Sequence, residues 1–257
     1  MTMRSAEEMI AYALEMDVSL LPYAAELLAD FEELGSDAEL IVDVIRRLNL
    51  PVSARVVDLG SGKGAVALEI ARETGCETVG VELFEPFVIS ARALADAAGV
   101  AGQCRFVHGD VLKMAEQVGE FDVAVYAALG DVLGPLETTV DVVRRYVRPG
   151  GYLVISDAFV SESGSTEFDG FENYARLEET RRRLTTHGDE LIHEVIEGAD
   201  DEEDSQEANF IATRASALAR SNPRDAQALL AFAKDQEDQY AYMEDNLVGA
   251  IWVLKRR

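Results

Sequence analysis

Apolar residues recur along this chain with two different periods. Near the N-terminus, Ser5 to Met16, Leu20 to Leu34 and Asp37 to Leu48 space them as one face of a helix does. Ser36 or Asp37 is placed to cap the third helix, and Pro51 marks its end. From residue 55 onward, short apolar runs alternate with helical stretches. The runs are Arg55 to Leu59, Cys76 to Val81, Arg105 to His108, Phe121 to Tyr126 and Tyr152 to Ser156. The helices between them are Ala65 to Glu73, Pro86 to Ala98, Val111 to Gln117 and Leu136 to Val147, the last closed by Arg148-Pro149-Gly150-Gly151. Phe121 to Tyr126 is almost uninterrupted in its apolar character, as expected of a strand covered on both faces. This alternation predicts an α/β fold, a doubly wound and mostly parallel sheet with right-handed crossovers and a ligand at the strands' carboxyl ends. Further on, Glu172 to Thr186 is predicted helical and Leu191 to Glu197 alternates like a strand. Asp200 to Asp204 is an acidic run expected in a solvated loop, Glu207 to Ala219 and Pro223 to Tyr242 are amphipathic helices, and Leu247 to Leu254 is a buried strand.

The strand Arg55 to Leu59 carries the chemistry of the chain. It is followed by Gly60-Ser61-Gly62-Lys63-Gly64 and then directly by a helix. Glycines suit a turn whose backbone takes positive φ and passes close to a ligand, and the helix behind it aims unpaired N–H groups at that ligand. A dinucleotide fingerprint is G-x-G-x-x-G, whereas these glycines fall as G-x-G-x-G with Asp58 two positions ahead. Asp58 repels a pyrophosphate and attracts a cationic ammonium.

The pattern Asp58-x-Gly60-x-Gly62-x-Gly64 resembles motif I of the class I S-adenosylmethionine-dependent methyltransferases. Val79-Gly80-Val81-Glu82, Gly109-Asp110-Val111, Phe121-Asp122-Val123 and Arg148-Pro149-Gly150-Gly151-Tyr152-Leu153 match later motifs of that family in order and spacing, so the resemblance covers roughly residues 37 to 160. It implies a Rossmann-like, seven-stranded sheet with Leu191 to Glu197 and Leu247 to Leu254 as its sixth and seventh strands, the seventh antiparallel. It also implies an N-terminal helical cover over residues 1–36 and a methyltransferase domain over 37–257; the acidic run and the two helices at about 200–243 then form an insertion between the last two strands, longer than the hairpin usual there. The implied cofactor is S-adenosyl-L-methionine. Asp58 would lie near its amino group and Gly60, Ser61, Gly62 and Gly64 would form the turn beneath it. Glu82 would take both ribose hydroxyls, and Asp110 would accept from the adenine amino group with the Val111 N–H at a ring nitrogen. Leu83, Phe84 and Val111 would sandwich the adenine, and Tyr126 would stand at the carboxyl end of the fourth strand. Tyr12 and Tyr23 are the polar aromatics that the N-terminal cover could lend to an acceptor pocket.

Composition narrows the partners. The chain has 257 residues, 48% hydrophobic and 28% charged, ordinary for a globular protein, but its net charge of −25 is not ordinary. Such a charge excludes a nucleic-acid backbone or an anionic membrane as partner, since both are repelled. Four lysines accompany nineteen arginines. Self-repulsion on this scale predicts stability that rises with ionic strength. Met1 to Met9 show no apolar signal-peptide run, and no stretch approaches the length of a membrane span, so a cytoplasmic location is expected. Cys76 and Cys104 have no CxxC spacing and are expected as small buried thiols.

For the acceptor, Asp131 in the loop after the fourth strand and Asp157 after the fifth are the candidate catalytic groups. His108, His187 and His193 are weaker candidates for taking a proton near neutral pH. Phe159, Phe168, Phe171 and Tyr174 add aromatic surface near the fifth strand. The Asn/Asp-Pro-Pro-aromatic motif of amino-group enzymes is replaced here by Tyr126-Ala127-Ala128-Leu129, and the Pro-Cys of cytosine-C5 enzymes is missing too. No clustered acidic ligands suggest a metal. A small-molecule acceptor is therefore expected, with its O, N or C atom left open. Two other readings stand beside it: a catalytically silent cofactor-binding module or assembly partner, and a nicotinamide-dependent oxidoreductase, against which the glycine spacing argues. The helices between Glu207 and Tyr242 leave a homodimer open.

Overall fold

The computed structural model describes residues 4–168, 170–197 and 201–257, with the backbone alone for 201–208. Its internal contacts divide the chain into two compact units. One holds the N-terminal residues through Phe31, Val160–Glu172 and the segment up to Val248, and the other holds Glu32–Phe159, Asn173–Glu197 and Gly249–Arg257.

The first unit is helical. Helix α1 (Ala6–Ala13) starts at a capping box in which Glu8 N–H donates to Ser5 Oγ at 3.2 Å and Ser5 N–H to Glu8 Oε2 at 2.6 Å. The helix expected over Leu20 to Leu34 is absent. In its place a 3₁₀ turn, Val18–Tyr23, leads into the four-residue α2 (Ala24–Leu27). Asp17 caps the turn by accepting from Ser19 N–H at 2.8 Å, and Pro22, which has no N–H to donate, lies inside it.

In the second unit, helix α3 (Ala38–Arg46) is capped by Asp37, which accepts from Leu40 N–H at 2.8 Å. Its buried face, Ile41, Val42, Val44 and Ile45, joins Val56, Val66 and Ile70 in one apolar core. Strand β1 (Arg55–Leu59), helix α4 (Ala65–Thr74), β2 (Glu77–Glu82), α5 (Glu85–Ala97), β3 (Cys104–His108), α6 (Val111–Val118), β4 (Phe121–Ala127), α7 (Leu136–Arg144) and β5 (Val147–Val160) follow in the expected alternation. Then come α8 (Leu177–Leu184) and β6 (Glu190–Ile196), followed in the chain by α9 (Asp201–Ser221), α10 (Ala226–Asn246) and β7 (Leu247–Lys255). The strands form one sheet in the order β3-β2-β1-β4-β5-β7-β6. β1 pairs in parallel with β2 and β4, β4 with β5, and β7 runs antiparallel to β6 with Ile196 opposite Ala250. The order reverses between β1 and β4, so a ligand crevice is expected beyond their carboxyl ends.

Three boundaries differ from the sequence reading. Strand β5 begins at Val147 instead of Tyr152, because Val147 pairs with Phe121 ahead of a bulge and Arg256 N–H donates to Gly151 O at 2.8 Å. Gly151 allows that approach: a Cβ there would lie 2.6 Å from the Asp122 carbonyl oxygen. Helix α8 spans Leu177–Leu184 and not Glu172 to Thr186. The acidic run, expected as a loop, is in its described part the first turn of α9, and Asp200, like Met1 to Met3 of the N-terminal stretch, lies outside the described residues. Helices α9 and α10 pack together within the helical unit, where Arg214 forms a two-pronged ion pair with Asp30 and Tyr23 donates to Asp225 Oδ2 at 2.6 Å. Cys76 and Cys104 are buried free thiols.

Candidate functional site

The β1–α4 turn is built on left-handed backbone, with φ of 75° at Gly60, 52° at Gly62 and 94° at Gly64. Gly60 and Ser61 both donate to the Val81 carbonyl, at 2.8 and 3.1 Å, which fixes the turn to the neighbouring strand. A Cβ at Gly64 would lie 2.6 Å from the Phe106 ring, and one at Gly80 would collide with the same ring and lie 2.6 Å from Ser61 Oγ. Phe106 of β3 thus sets how closely helix, turn and strand approach. Leu129 lies against the open side of Gly60, and Leu34 Cδ1 is 3.0 Å from where a Cβ of Gly62 would be. These two leucines make an apolar flank to the turn. The sequence reading missed Leu34, Phe106 and Leu129, whose signal was no more than apolar character.

Beneath the turn sits Asp58, only 3% exposed. One side of its carboxyl accepts from the Ala67 N–H in the first turn of α4. Its Oδ2 is buried without a hydrogen-bond partner, as is Ser61 Oγ. Burial, and secondarily the nearby Glu82 carboxylate, push the Asp58 carboxyl up to about 7. Glu82 ends β2 and bridges two backbone turns, its Oε2 accepting from Gly62 N–H at 3.0 Å and its Oε1 from Phe84 N–H at 2.7 Å. Burial raises its pKa against those stabilising bonds. Each oxygen keeps a further lone pair for a ligand hydroxyl.

Asp110 caps α6 by accepting from Leu112 N–H at 2.9 Å and pairs with Lys113 at 2.6 Å. Leu83 and Phe84 are half-buried, Phe84 edge-on to Phe87 at 4.9 Å, and Tyr146 holds the Val111 carbonyl. Tyr126 differs from the picture of a strand-end group facing a ligand. It is 1% exposed, and its hydroxyl donates to the Gly130 carbonyl at 3.1 Å, so it shapes the loop after β4. That loop carries positive φ at Ala128 (53°), Gly130 (47°) and Gly134 (110°).

The same loop leads from the glycine turn to a second feature. Leu129 lies on Gly60, and the next two residues line a small pocket together with Leu136, Asp157, Ala158, Asn173 and Tyr174. It encloses about 30 Å³, and about 380 Å³ counting its open mouth. Asp131 and Asp157 therefore line the same pocket. Asn173 donates to Asp131, and the Tyr174 hydroxyl donates to Asp157 Oδ1 at 3.1 Å. Burial chiefly, and less strongly the Asp131 charge, push the Asp157 carboxyl up to about 6. The sequence showed Tyr174 only as aromatic surface and gave no sign of Asn173. The three histidines are engaged elsewhere: His108 with the Leu83 carbonyl, His187 with the Glu137 carbonyl and His193 with Arg47. Phe159 packs edge-on to Trp252, while within the helical unit Phe168 stacks on Tyr242 and Phe171 lies tilted against it. Among the described residues, no three His, Cys, Asp or Glu side chains group to hold a metal ion, and no helix is long and apolar enough to cross a membrane.

Residues 56–151, which span the glycine turn, Glu82, Asp110 and the loop after β4, match the family model described as a methyltransferase domain. The fold agrees. A methyltransferase from Geobacter sulfurreducens and one from Thiobacillus denitrificans, both solved with S-adenosyl-L-homocysteine, superpose with a TM-score of 0.76 at 22% and 24% identity, over 91% of this chain and 97% of each of theirs. The chain thus shares the Rossmann-like fold of these solved methyltransferases, and its residues 56–151 are similar to the methyltransferase-domain model. Among curated sequences, a sterol 24-C-methyltransferase of Gibberella zeae is 38% identical over 98 residues, 38% of this chain and 26% of that protein. That of Saccharomyces cerevisiae is 34% identical over 101 residues, 39% of this chain and 26% of its own length. This chain covers less than half the length of these relatives. The [4+2]-cyclase SpnF also shares the fold, with a TM-score of 0.73 at 18% identity over 98% of this chain and 96% of its own. Fold therefore leaves the reaction to be argued from the site.

Proposed function

We propose that this protein is an S-adenosylmethionine-dependent methyltransferase acting on a small molecule. One observation carries the reading: a buried Asp58 with an unpartnered oxygen lies under a triple-glycine turn, beside Glu82, at the point where strand order reverses. A buried orphan carboxylate costs several kcal/mol unless something cationic meets it. The ammonium of S-adenosylmethionine is such a group, and when bound this cofactor supplies an electrophilic methyl carbon on a sulfonium. Asp58 serves the amino-acid end and Glu82 the ribose hydroxyls. Asp110, Val111, Leu83 and Phe84 serve the adenine, and the Gly60–Gly64 backbone lets the ligand approach. Leu34 and Leu129 exclude water beside the turn, and Tyr126 fixes the loop that presents Leu129.

On the acceptor side, Asp157 with a pKa of about 6 is suited to take a proton near neutral pH, and Asp131 adds negative charge opposite. Most of the catalytic effect of such a site is alignment of the acceptor and exclusion of water. The test is release of S-adenosylhomocysteine from S-adenosylmethionine in the presence of a panel of small amines, alcohols, phenols and alkenes. Turnover with one class supports the reading. Tight cofactor binding with no turnover on any class would make the chain a binding module instead.

A further inference from the structure

The pocket beside Asp157 has a one-sided hydrogen-bonding inventory. Most of its side-chain donors are committed within the protein, the exception being Arg183, which engages Nε and Nη1 but not Nη2. Tyr174 Oη donates to Asp157, Asn173 Nδ2 to Asp131, and Thr180 Oγ1 to the carbonyls of Ala175 and Arg176, both at 3.2 Å. Arg183, the guanidinium in the lining, donates to Glu179 at 3.0 Å and to the Asn173 carbonyl at 2.9 Å, with Glu137 at 3.9 Å. On Asp157, both protein donors, Tyr174 Oη and Ala158 N–H, go to Oδ1, which leaves Oδ2 to the pocket. What the pocket offers a ligand is chiefly acceptors, with the carboxylates of Asp131 and Asp157 set against one guanidinium whose charge already faces Glu179 and Glu137.

A hydroxyl can donate only one hydrogen bond to such a wall, and a carboxylate is repelled by it. An ammonium brings up to three donors and the complementary charge. The enclosed volume of about 30 Å³ suits a head group of that size, with the remainder of the molecule in the open mouth. The net charge of −25 favours the approach of cations over anions.

We propose that the methyl acceptor is a small primary or secondary amine, its ammonium seated between the carboxylates of Asp131 and Asp157, with Asp157 as the proton acceptor and Asn173 and Tyr174 as positioning residues. This rests on the methyl-transfer reading above. Asp157 Oδ2 takes one proton from the ammonium. The freed nitrogen lone pair then forms the new N–C bond as the methyl–sulfur bond breaks, and Asp157 passes its proton to solvent. The products are a methylated ammonium and neutral S-adenosylhomocysteine. Asn173 and Tyr174 are adjacent in sequence and each holds one of the two carboxylates, so a single segment sets the spacing that receives the nitrogen.

The experiment is calorimetric titration of the full chain, first with S-adenosylhomocysteine and then, in the saturated complex, with butylamine, butanol and butyrate as matched probes. Butylamine binding at least tenfold tighter than the other two is expected. Asp157→Asn should weaken the amine about tenfold and Tyr174→Phe less, both with unchanged affinity for S-adenosylhomocysteine, which also shows that the variants fold. Equal or tighter binding of butanol or butyrate, no amine binding by protein that binds S-adenosylhomocysteine, or amine binding indifferent to Asp157→Asn would each overturn the proposal. Failure of S-adenosylhomocysteine itself to bind would instead strike the cofactor reading beneath it.

Discussion

Replacing Asp58 by asparagine should make the ligand-free protein more stable and a worse binder at once. The carboxyl is 3% exposed, and burial followed by the Glu82 charge lifts it from 3.8 to about 7. A raised folded-state pKa means that the native protein holds its proton where the unfolded chain has lost it. Stability is then greatest below about pH 4 and falls as pH rises through about 7. At 1.36 kcal/mol for each pH unit, the shift corresponds to about 4 kcal/mol at pH 8 and about 1.5 kcal/mol at pH 5. Asparagine carries no charge, and its side-chain oxygen can still accept from the Ala67 N–H, so Asp58→Asn should recover much of that amount. Urea unfolding of both proteins at the two pH values measures it. A gain of roughly 2–4 kcal/mol at pH 8, shrinking by more than half at pH 5, is expected. The same variant should bind S-adenosylhomocysteine about 10- to 100-fold more weakly, as loss of a charge-assisted hydrogen bond implies. A variant less stable than the parent at pH 8, or one that is more stable with unchanged affinity, would refute the reasoning.

Other consequences are open to measurement. With Asp157 as proton acceptor, the rate should rise as pH passes upward through about 6, and Asp157→Asn should remove that limb; a profile flat from pH 5 to 8 would count against the assignment. Gly80→Ala should cost about 1–3 kcal/mol in chemical denaturation, because the new Cβ on β2 meets the Phe106 ring and Ser61, and no loss would mean that the ring moves freely. Glu82→Ala should weaken S-adenosylhomocysteine markedly, since it frees the Gly62 and Phe84 N–H groups and removes the acceptor placed for the ribose; unchanged affinity would mean the pose is wrong. Melting temperatures should climb between low and high salt as charge repulsion is screened, and a flat response would show that −25 is locally compensated.

Much of the sheet was legible because its strands are continuous Val, Leu and Ile runs ended by acids or glycines, a pattern that local sequence carries by itself. Asp58 and Glu82 stood out for the same reason, each an acid at or next to the end of a buried strand. The pocket beside Asp157 was only half legible. Asp131 and Asp157 stand after strands, but Asn173 and Tyr174 reach them through a fold closure that no local period announces. Leu34 and Leu129 looked like any apolar residue until they were found against Gly62 and Gly60. Leu20 to Leu34 keeps helical spacing, yet the chain there forms a 3₁₀ turn through Pro22 and then only the four-residue helix Ala24–Leu27. The start of strand β5 was hidden because Pro149, Gly150 and Gly151 interrupt it, while Phe121 pairs with Val147 and Arg256 bonds Gly150 and Gly151 into the strand. Tyr126 stood at a strand's carboxyl end, yet the loop beyond folds back and takes its hydroxyl.

The central claim is that the Asp58–Gly64 turn and Glu82 hold S-adenosylmethionine. Calorimetric titration of the purified protein with S-adenosylhomocysteine and, in parallel, NAD addresses it most directly. Micromolar or tighter binding of S-adenosylhomocysteine, with none of NAD, is the predicted result. Binding of NAD alone, or of neither at low and high salt, would contradict it.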